Sequence, residues 1–246
     1  MEHVAGRRIL ITRAEDDNGP WVERLVSLGA DPVPFPCIFI EPLELSAEWR
    51  ARLEQAAWVV FSSHRAVQLF ADLLGDGNLA AHQIAAVGPT TRAACMDRFG
   101  RCDLSSSAGT GAGLVQALSP KLVNGAAVLL PGAAEPRPEL AEGIQASGAT
   151  PVPLPLYATR PTVASAERVD FTGARLDAAL FASPSAVSGC FATAILPLDI
   201  PAACIGPTTS AAAKAAGLTR TVTSESRDLD GLLSALHESL TPNPQN

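Results

Sequence analysis

The chain contains one stretch twice. FSSHRAV at 61–67 is answered by FASPSAV at 181–187, and VGPTTRAAC at 87–95 by IGPTTSAAA at 205–213. Phe181 lies 120 positions after Phe61 (181 − 61), and Gly206 lies 118 after Gly88 (206 − 88). The echo reaches upstream, where Ile9, Gly29, Pro34 and Pro36 are matched by Val128, Gly148, Pro153 and Pro155, each 119 residues later. A chain of 246 residues made of two such halves is expected to form two domains of roughly 120 residues.

Each copy has the same local logic. The apolar runs WVVF and AALF suit buried strands, and the serines that follow suit helix N-caps, because a hydroxyl can accept from the free amides of the next helix. In the two GPTT segments glycine allows a tight strand-to-helix turn, proline suits the first helical turn, and threonine can bond a nearby amide. Four such turns are expected at the C-terminal edges of parallel strands, where open α/β sheets bind ligands.

In order, the pattern predicts a strand at 8–12, a helix at 18–28 closed by Gly29, and a strand at 31–35. Pro32, Pro34 and Pro36 cannot donate to a ladder, so 33–41 reads as an edge strand or an extended connector, repeated at 151–161. Strands at 58–61, 84–87 and 127–130 alternate with helices at 47–55, 65–74, 90–99, 113–118 and 138–146. Strands at 178–181, 202–205 and 221–223 alternate with helices at 186–194, 208–216 and 229–240, and the tail 241–246 is expected to fray. A crossing near Pro36 and a return near Pro155 would make one domain discontinuous. The expected division is 1–35 with 161–246, an inserted domain over 41–154, and connectors at 36–40 and 155–160; simple tandem domains would leave the second connector without a reason.

Composition excludes several classes. The longest apolar run, 56–61, is far too short for a membrane span, and MEHVAGRRILIT runs straight into a strand with no signal-peptide pattern, so a cytoplasmic protein is expected. Five scattered cysteines with no C-x-x-C pair argue against a disulfide framework or zinc site and read as small core residues. A net charge of −7 argues against general nucleic-acid binding. Local anion binding stays open through helix N-termini and arginines, since Lys121 and Lys214 are the only lysines. His64 beside Ser63 reads as a solvated histidine rather than half of a Ser-His pair. The glycine-rich run 108–113 has no P-loop lysine and no apparent strand before it, and reads as a loop. Asp16 and Asp17 read as solvated charges ahead of the first helix.

The succession ILITR, LGADPVPFP, FSSHRAV, VGPTT, VLLPG, SGATPVPLPLY, FASPSAV and IGPTT resembles the uroporphyrinogen-III synthase family over nearly the whole chain. No single piece is specific; their order and spacing are. The resemblance implies an α/β fold of two flavodoxin-like parallel-sheet domains joined by two extended connector strands. It also implies a cofactor-free, metal-free lyase that closes hydroxymethylbilane, a linear tetrapyrrole with eight carboxylates, losing water and inverting ring D. Tyr157, the only tyrosine, resembles the family's tyrosine as general acid on the leaving hydroxyl; its plain alternative is a ring packing the hinge with its hydroxyl in water. Ser62, Ser63, Ser183 and Ser185 are candidates for substrate carboxylates, with helix capping as the structural alternative. The resemblance favours Thr91 and Thr208 or Thr209, with Thr90 beside them, as substrate-facing hydroxyls. Arg13 could meet a carboxylate or merely a surface acid. A monomer with no nucleic-acid or membrane partner is expected. The competing reading, from another class, is a non-catalytic two-lobed binder of a small anion.

Overall fold

The computed structural model describes residues 2–106, 109–136, 138–163 and 167–240; Ala108 and the tail 241–246 lie outside the described residues. After a short 3-10 turn the chain runs β1 (Arg8–Ile11), α1 (Glu15–Ser27), β2 (Asp31–Pro34), β3 (Ile38–Pro42), α2 (Trp49–Gln55), β4 (Ala56–Phe61) and α3 (His64–Leu74). It continues through β5 (Gln83–Val87), α4 (Gly88–Phe99), β6 (Leu104–Ser106), α5 (Gly111–Leu118), β7 (Ala127–Ala133), α6 (Pro138–Ala146) and β8 (Thr150–Pro161). The last third is β9 (Val169–Asp170), β10 (Ala178–Phe181), α7 (Pro184–Thr193), β11 (Ala194–Ile195), β12 (Ala202–Cys204), α8 (Pro207–Ala215), β13 (Thr221–Thr223) and α9 (Leu229–Leu240).

Contacts divide the chain into two compact units, 1–40 with 159–246, and 41–158. The first unit holds a parallel sheet ordered β13-β12-β10-β1-β2. Numbered along the chain, that is 2-1-3-4-5, the flavodoxin order. The second holds β3-β8-β7-β4-β5-β6, parallel from β8 to β6. Here the same spatial order is entered at its third strand: β4, β5 and β6 come first in the chain, and β7 and β8 supply positions one and two. The first two strands of copy one thus join the last three of copy two, and the remaining five strands close the other sheet.

Proline spacing explains both edges. In β2 the amides of Asp31 and Phe35 bond Arg7 and Ile11 of the β1 segment, so Pro32 and Pro34 face the open side. In β8 the amide of Thr150 bonds Ala126, which turns Pro151, Pro153 and Pro155 away from β7. With a side-chain period of two, prolines at alternate positions put every missing donor on one side of the strand. Past Pro155 the register slips, so that Tyr157 rather than Leu156 stands opposite Ala133. The Leu156 carbonyl is then free to accept from Leu43, beside β3.

The same period builds the core of the first unit. Leu10, Ala179, Phe181, Ala202 and Cys204 pack on one face of its sheet, and Ile9, Ile11, Ala178, Leu180 and Ala203 on the other. In the second unit Trp58, Val60, Ala85 and Val128 pack against α5 and α6 through Leu114, Leu118 and Ile144. Phe61, Phe70 and Phe99 cluster with centroids 5.6 to 6.5 Å apart, and Trp49 joins at 6.1 Å from Phe70.

Local differences from the sequence reading have local causes. Helix α1 starts at Glu15 rather than 18, because Glu15, Asp16 and Asp17 form its first turn, where acids favour the helix dipole. Asp17 is half-buried and paired with Arg13 at 3.6 Å, not a freely solvated charge. The glycine-rich run follows no apolar strand; the three-residue β6 ahead of it is Leu-Ser-Ser, and the run leads into α5, capped by Thr110.

Candidate functional site

The turns of the second unit meet at the carboxyl edge of its sheet. β4 ends at Phe61, and Ser63 caps α3 by accepting from the Ala66 amide at 3.1 Å. Between β4 and β7 the strand order reverses, the topological switch point where such sheets bind ligands. The Ser62 hydroxyl faces Gly132 of β7, 3.9 Å from where a Cβ would stand. Tyr157, 8% exposed, sits on the next strand with its hydroxyl 3.3 Å from Ser63 Oγ. The register slip ahead of it is the kind of irregularity that re-aims a side chain. The phenol is therefore hydrogen-bonded rather than simply in water.

At the neighbouring turn Gly88 has φ +80, and a Cβ there would stand 3.3 Å from Gly109 Cα. Any other residue would be strained by its backbone and pressed against the facing loop. Pro89 is the second residue of α4, Thr90 is exposed, and Thr91 is 4% exposed.

The first unit repeats the pattern with differences. Ser183 caps α7 by accepting from Ala186 at 3.1 Å and is bonded to Ser185 at 2.9 Å. Thr12 donates to the Leu180 carbonyl at 2.7 Å, tying β1 to β10 at this unit's switch point. Arg13 donates to the Asp17 carbonyl at 3.1 Å, and its guanidinium lies 4.5 Å from the Trp21 ring centroid. That is the surface-acid role. Thr208 is exposed and Thr209 is 1% exposed at the start of α8, where Gly206 is extended and needs no special freedom.

The expectation that the GPTT threonines bond amides of their own turn is not met. Neither α4 nor α8 has a side chain capping its first amides, and neither carries an acid in its first turn. Helix α1 also lacks a side-chain cap, but its three acids repel an anion. By contrast α3, α5 and α7 are capped by Ser63, Thr110 and Ser183. Among the described residues the GPTT starts of α4 and α8 combine an uncapped first turn with no acid in it; the short α2 shares both features but has Glu48 at its N-cap, which opposes an anion.

The sites are not symmetric. Tyr157 corresponds, at the 119-residue offset, to Ile38, a buried apolar residue, so one copy alone holds a phenol. His64, read as a solvated residue, is half-buried at the start of α3, as is Arg65 beside it. Thr12 and Gly132 were not singled out by sequence; the 119-residue offset, which sets Ile11-Thr12-Arg13 against Leu130-Pro131-Gly132, was the available signal. Among the described residues no group of three or more His, Cys, Asp or Glu is placed to hold a metal, and no helix is long and apolar enough to cross a membrane.

A porphyrin biosynthesis protein HemD of Ruminiclostridium josui is 28% identical over 245 residues, spanning 95% of this chain and 48% of that protein. The chain thus spans about half the length of that curated relative. Two solved structures share the fold over 96% of the chain. Uroporphyrinogen-III synthetase from Helicobacter pylori has TM-score 0.65 at 14% identity and is covered in full. A mutant uroporphyrinogen III synthase from Thermus thermophilus has TM-score 0.57 at 20% identity, with 99% of that chain covered. The family model described as uroporphyrinogen-III synthase HemD matches residues 19–234, and the chain belongs to that family.

Proposed function

We propose that this chain closes hydroxymethylbilane to uroporphyrinogen III, with loss of water and inversion of ring D, as a cofactor-free lyase. The observation that carries the reading is the family match across residues 19–234; the site geometry supplies the roles. The reaction removes water and makes a carbon–carbon bond without net redox change. Binding, positioning and one proton donor suffice for it.

The free amides at the starts of α4 and α8 receive substrate carboxylates, with Thr90, Thr91, Thr208 and Thr209 beside them. Tyr157 protonates the departing hydroxyl. Ser63 Oγ accepts from the Ala66 amide and shares a hydrogen bond with Tyr157 Oη in which either hydroxyl can donate. In the arrangement where Ser63 donates, the phenol proton is left for the substrate and the phenol oxygen is stabilised as it loses that proton. Departure of water gives an electrophilic azafulvene; ring D attacks through its substituted carbon, and the spiro intermediate reopens and recloses inverted. Ser62 in the second unit, and Ser183 and Ser185 in the first, follow the ends of their own strands and serve as secondary contacts to carboxylates, whereas Arg13 is held by Asp17.

The test supplies hydroxymethylbilane and separates the porphyrin isomers after oxidation. Type III in excess over spontaneous type I supports the lyase. Type I alone would leave the two-lobed anion binder as the reading.

A further inference from the structure

Asn18 is the one buried side chain among the described residues whose polar atoms meet no hydrogen-bond partner. It is 5% exposed, and both Oδ1 and Nδ2 of its amide are covered. An amide covered and unpaired is destabilising, whereas a leucine in its place would simply pack.

Its surroundings say what it faces. Asn18 precedes Trp21, Val22 and Leu25 at the spacing that puts all four on one side of α1. The other three pack on the sheet with Ile9, Ile11, Leu180 and Ala203. Because β1 and β2 are parallel, α1 between them runs back against both, and its first turn lies at the carboxyl ends of the strands. Asn18 thus sits at the ligand-binding edge of the first unit, beside the switch point between β1 and β10.

That first turn is weakly joined to the rest of its helix. Gly19 and Pro20 follow it directly, inside α1. Pro20 has no amide to give the Asp16 carbonyl, and Gly19 is the residue least confined to helical geometry. No side chain caps the helix at Ala14. The turn is held down locally, by Arg13, which donates to the Asp17 carbonyl at 3.1 Å and lies 3.6 Å from the Asp17 carboxylate.

We propose that residues 15–18 form a lid on the carboxyl edge of the first unit, which opens at Gly19–Pro20 and presents the Asn18 amide to a pyrrole N–H of the substrate. The contact rests on the lyase reading. Asn18 Oδ1 accepts from the pyrrole; a carboxylate is the poorer partner, because Glu15 and Asp16 on the same turn are exposed acids that repel it. In the closed state of this structure the amide is unpaired, and in the open, bound state it is paired. That difference in affinity is what lets the substrate shift the lid.

The lid is tested without substrate, by hydrogen exchange. The Asn18 and Gly19 amides are expected to exchange at least about ten-fold faster than those of 22–25. Asn18→Leu, which packs the covered position, is expected to slow them about ten-fold, and Asn18→Ala to leave them fast. The contact is tested with hydroxymethylbilane: both variants are expected to raise KM about 3- to 10-fold with kcat within about twofold, a split that a merely structural role would not produce. Exchange at Asn18 and Gly19 as slow as at 22–25 would overturn the lid, and an unchanged KM in both variants would overturn the contact. Type I product alone from the unaltered protein would overturn the contact together with the lyase reading, while exchange still decides the lid.

Discussion

Replacing Gly189 by Ala sets two known effects against each other. Alanine in place of glycine within a helix favours the helix by about 1 kcal/mol. At Gly189, in the middle of α7, the added Cβ would stand 1.7 Å from the Cys37 carbonyl oxygen, 2.8 Å from Cys37 C and 3.1 Å from the Thr162 amide. That carbonyl accepts from Thr162 at 2.9 Å. Relief needs a shift of roughly 1.5 Å to reach ordinary van der Waals contact. Either α7 withdraws from the core formed by Ala186, Val187 and Cys190, or Cys37 turns and leaves two buried backbone groups unpaired. Overpacking costs about 1–3 kcal/mol and an unmade buried hydrogen bond about 1–3 more. Together these cost about 2–6 kcal/mol against a helix gain of about 1, for a net loss of about 1–5 kcal/mol. For chains of this length that corresponds to a fall in Tm of roughly 2–20 °C. Gly19 on α1 in the same unit is the comparison: it is exposed, and a Cβ there meets nothing within 4 Å apart from its chain neighbours, of which Pro20 disfavours a helical residue with a Cβ before it. The helix gain and the contact with Pro20 oppose each other, so Gly19→Ala should change stability by no more than about 1 kcal/mol. The two units can melt in separate steps, so calorimetry is paired with hydrogen exchange of 178–204. Equal stability of the two variants would refute the close approach of α7 to Cys37.

Tyr157→Phe should fold normally and turn over hydroxymethylbilane about 10- to 1000-fold more slowly, the range of general-acid assistance; an unchanged rate removes Tyr157 from the chemistry. Single Ala variants of Thr91, Thr208, Thr209, Ser63 and Ser183 should each retain measurable type III product, because binding is spread over backbone amides; complete loss in one well-folded variant refutes distributed binding. Asn18 is 5% exposed on α1, with both polar atoms of its amide buried and unpartnered among the described residues. Asn18→Leu should raise stability by about 1–3 kcal/mol in calorimetry, and a loss instead would show that the amide has a partner in solution. Burial alone would raise the Asp177 pKa, but the Arg8 amide at 2.9 Å and the Arg7 guanidinium at 3.0 Å outweigh it and hold it below the usual carboxylate value. Its stabilisation is then complete above about pH 4, the unfolded value, and lost as pH falls through the folded pKa. Asp177→Asn should lose about 1–2 kcal/mol in urea melts at pH 7, with the gap closing in acid; a gap that persists at low pH contradicts the charge-based account.

The duplication, the alternating prolines and the apolar runs were legible in the chain because each is a local pattern with a local physical cause. Pro32 and Pro34, and again Pro151, Pro153 and Pro155, place their missing donors on one side of a strand wherever that strand lies. Ile9, Leu10 and Ile11 alternate between faces for the same reason, and Ser63 and Ser183 cap the helices that follow them. Other features depend on neighbours far along the chain. Two near-copies offer the same edges to either set of partners, so the strands alone do not choose whether β1 and β2 close on β4 or on β10. The repeated proline connectors near Pro36 and Pro155 were the sequence signal for the second pairing. Tyr157 meets Ser63 across 94 residues, and only because the β8 register slips beside it. Backbone period and missing donors act within a few residues and can be read from the letters, whereas contacts between distant strands depend on which pairing buries the shared core, and that is decided by the whole chain at once.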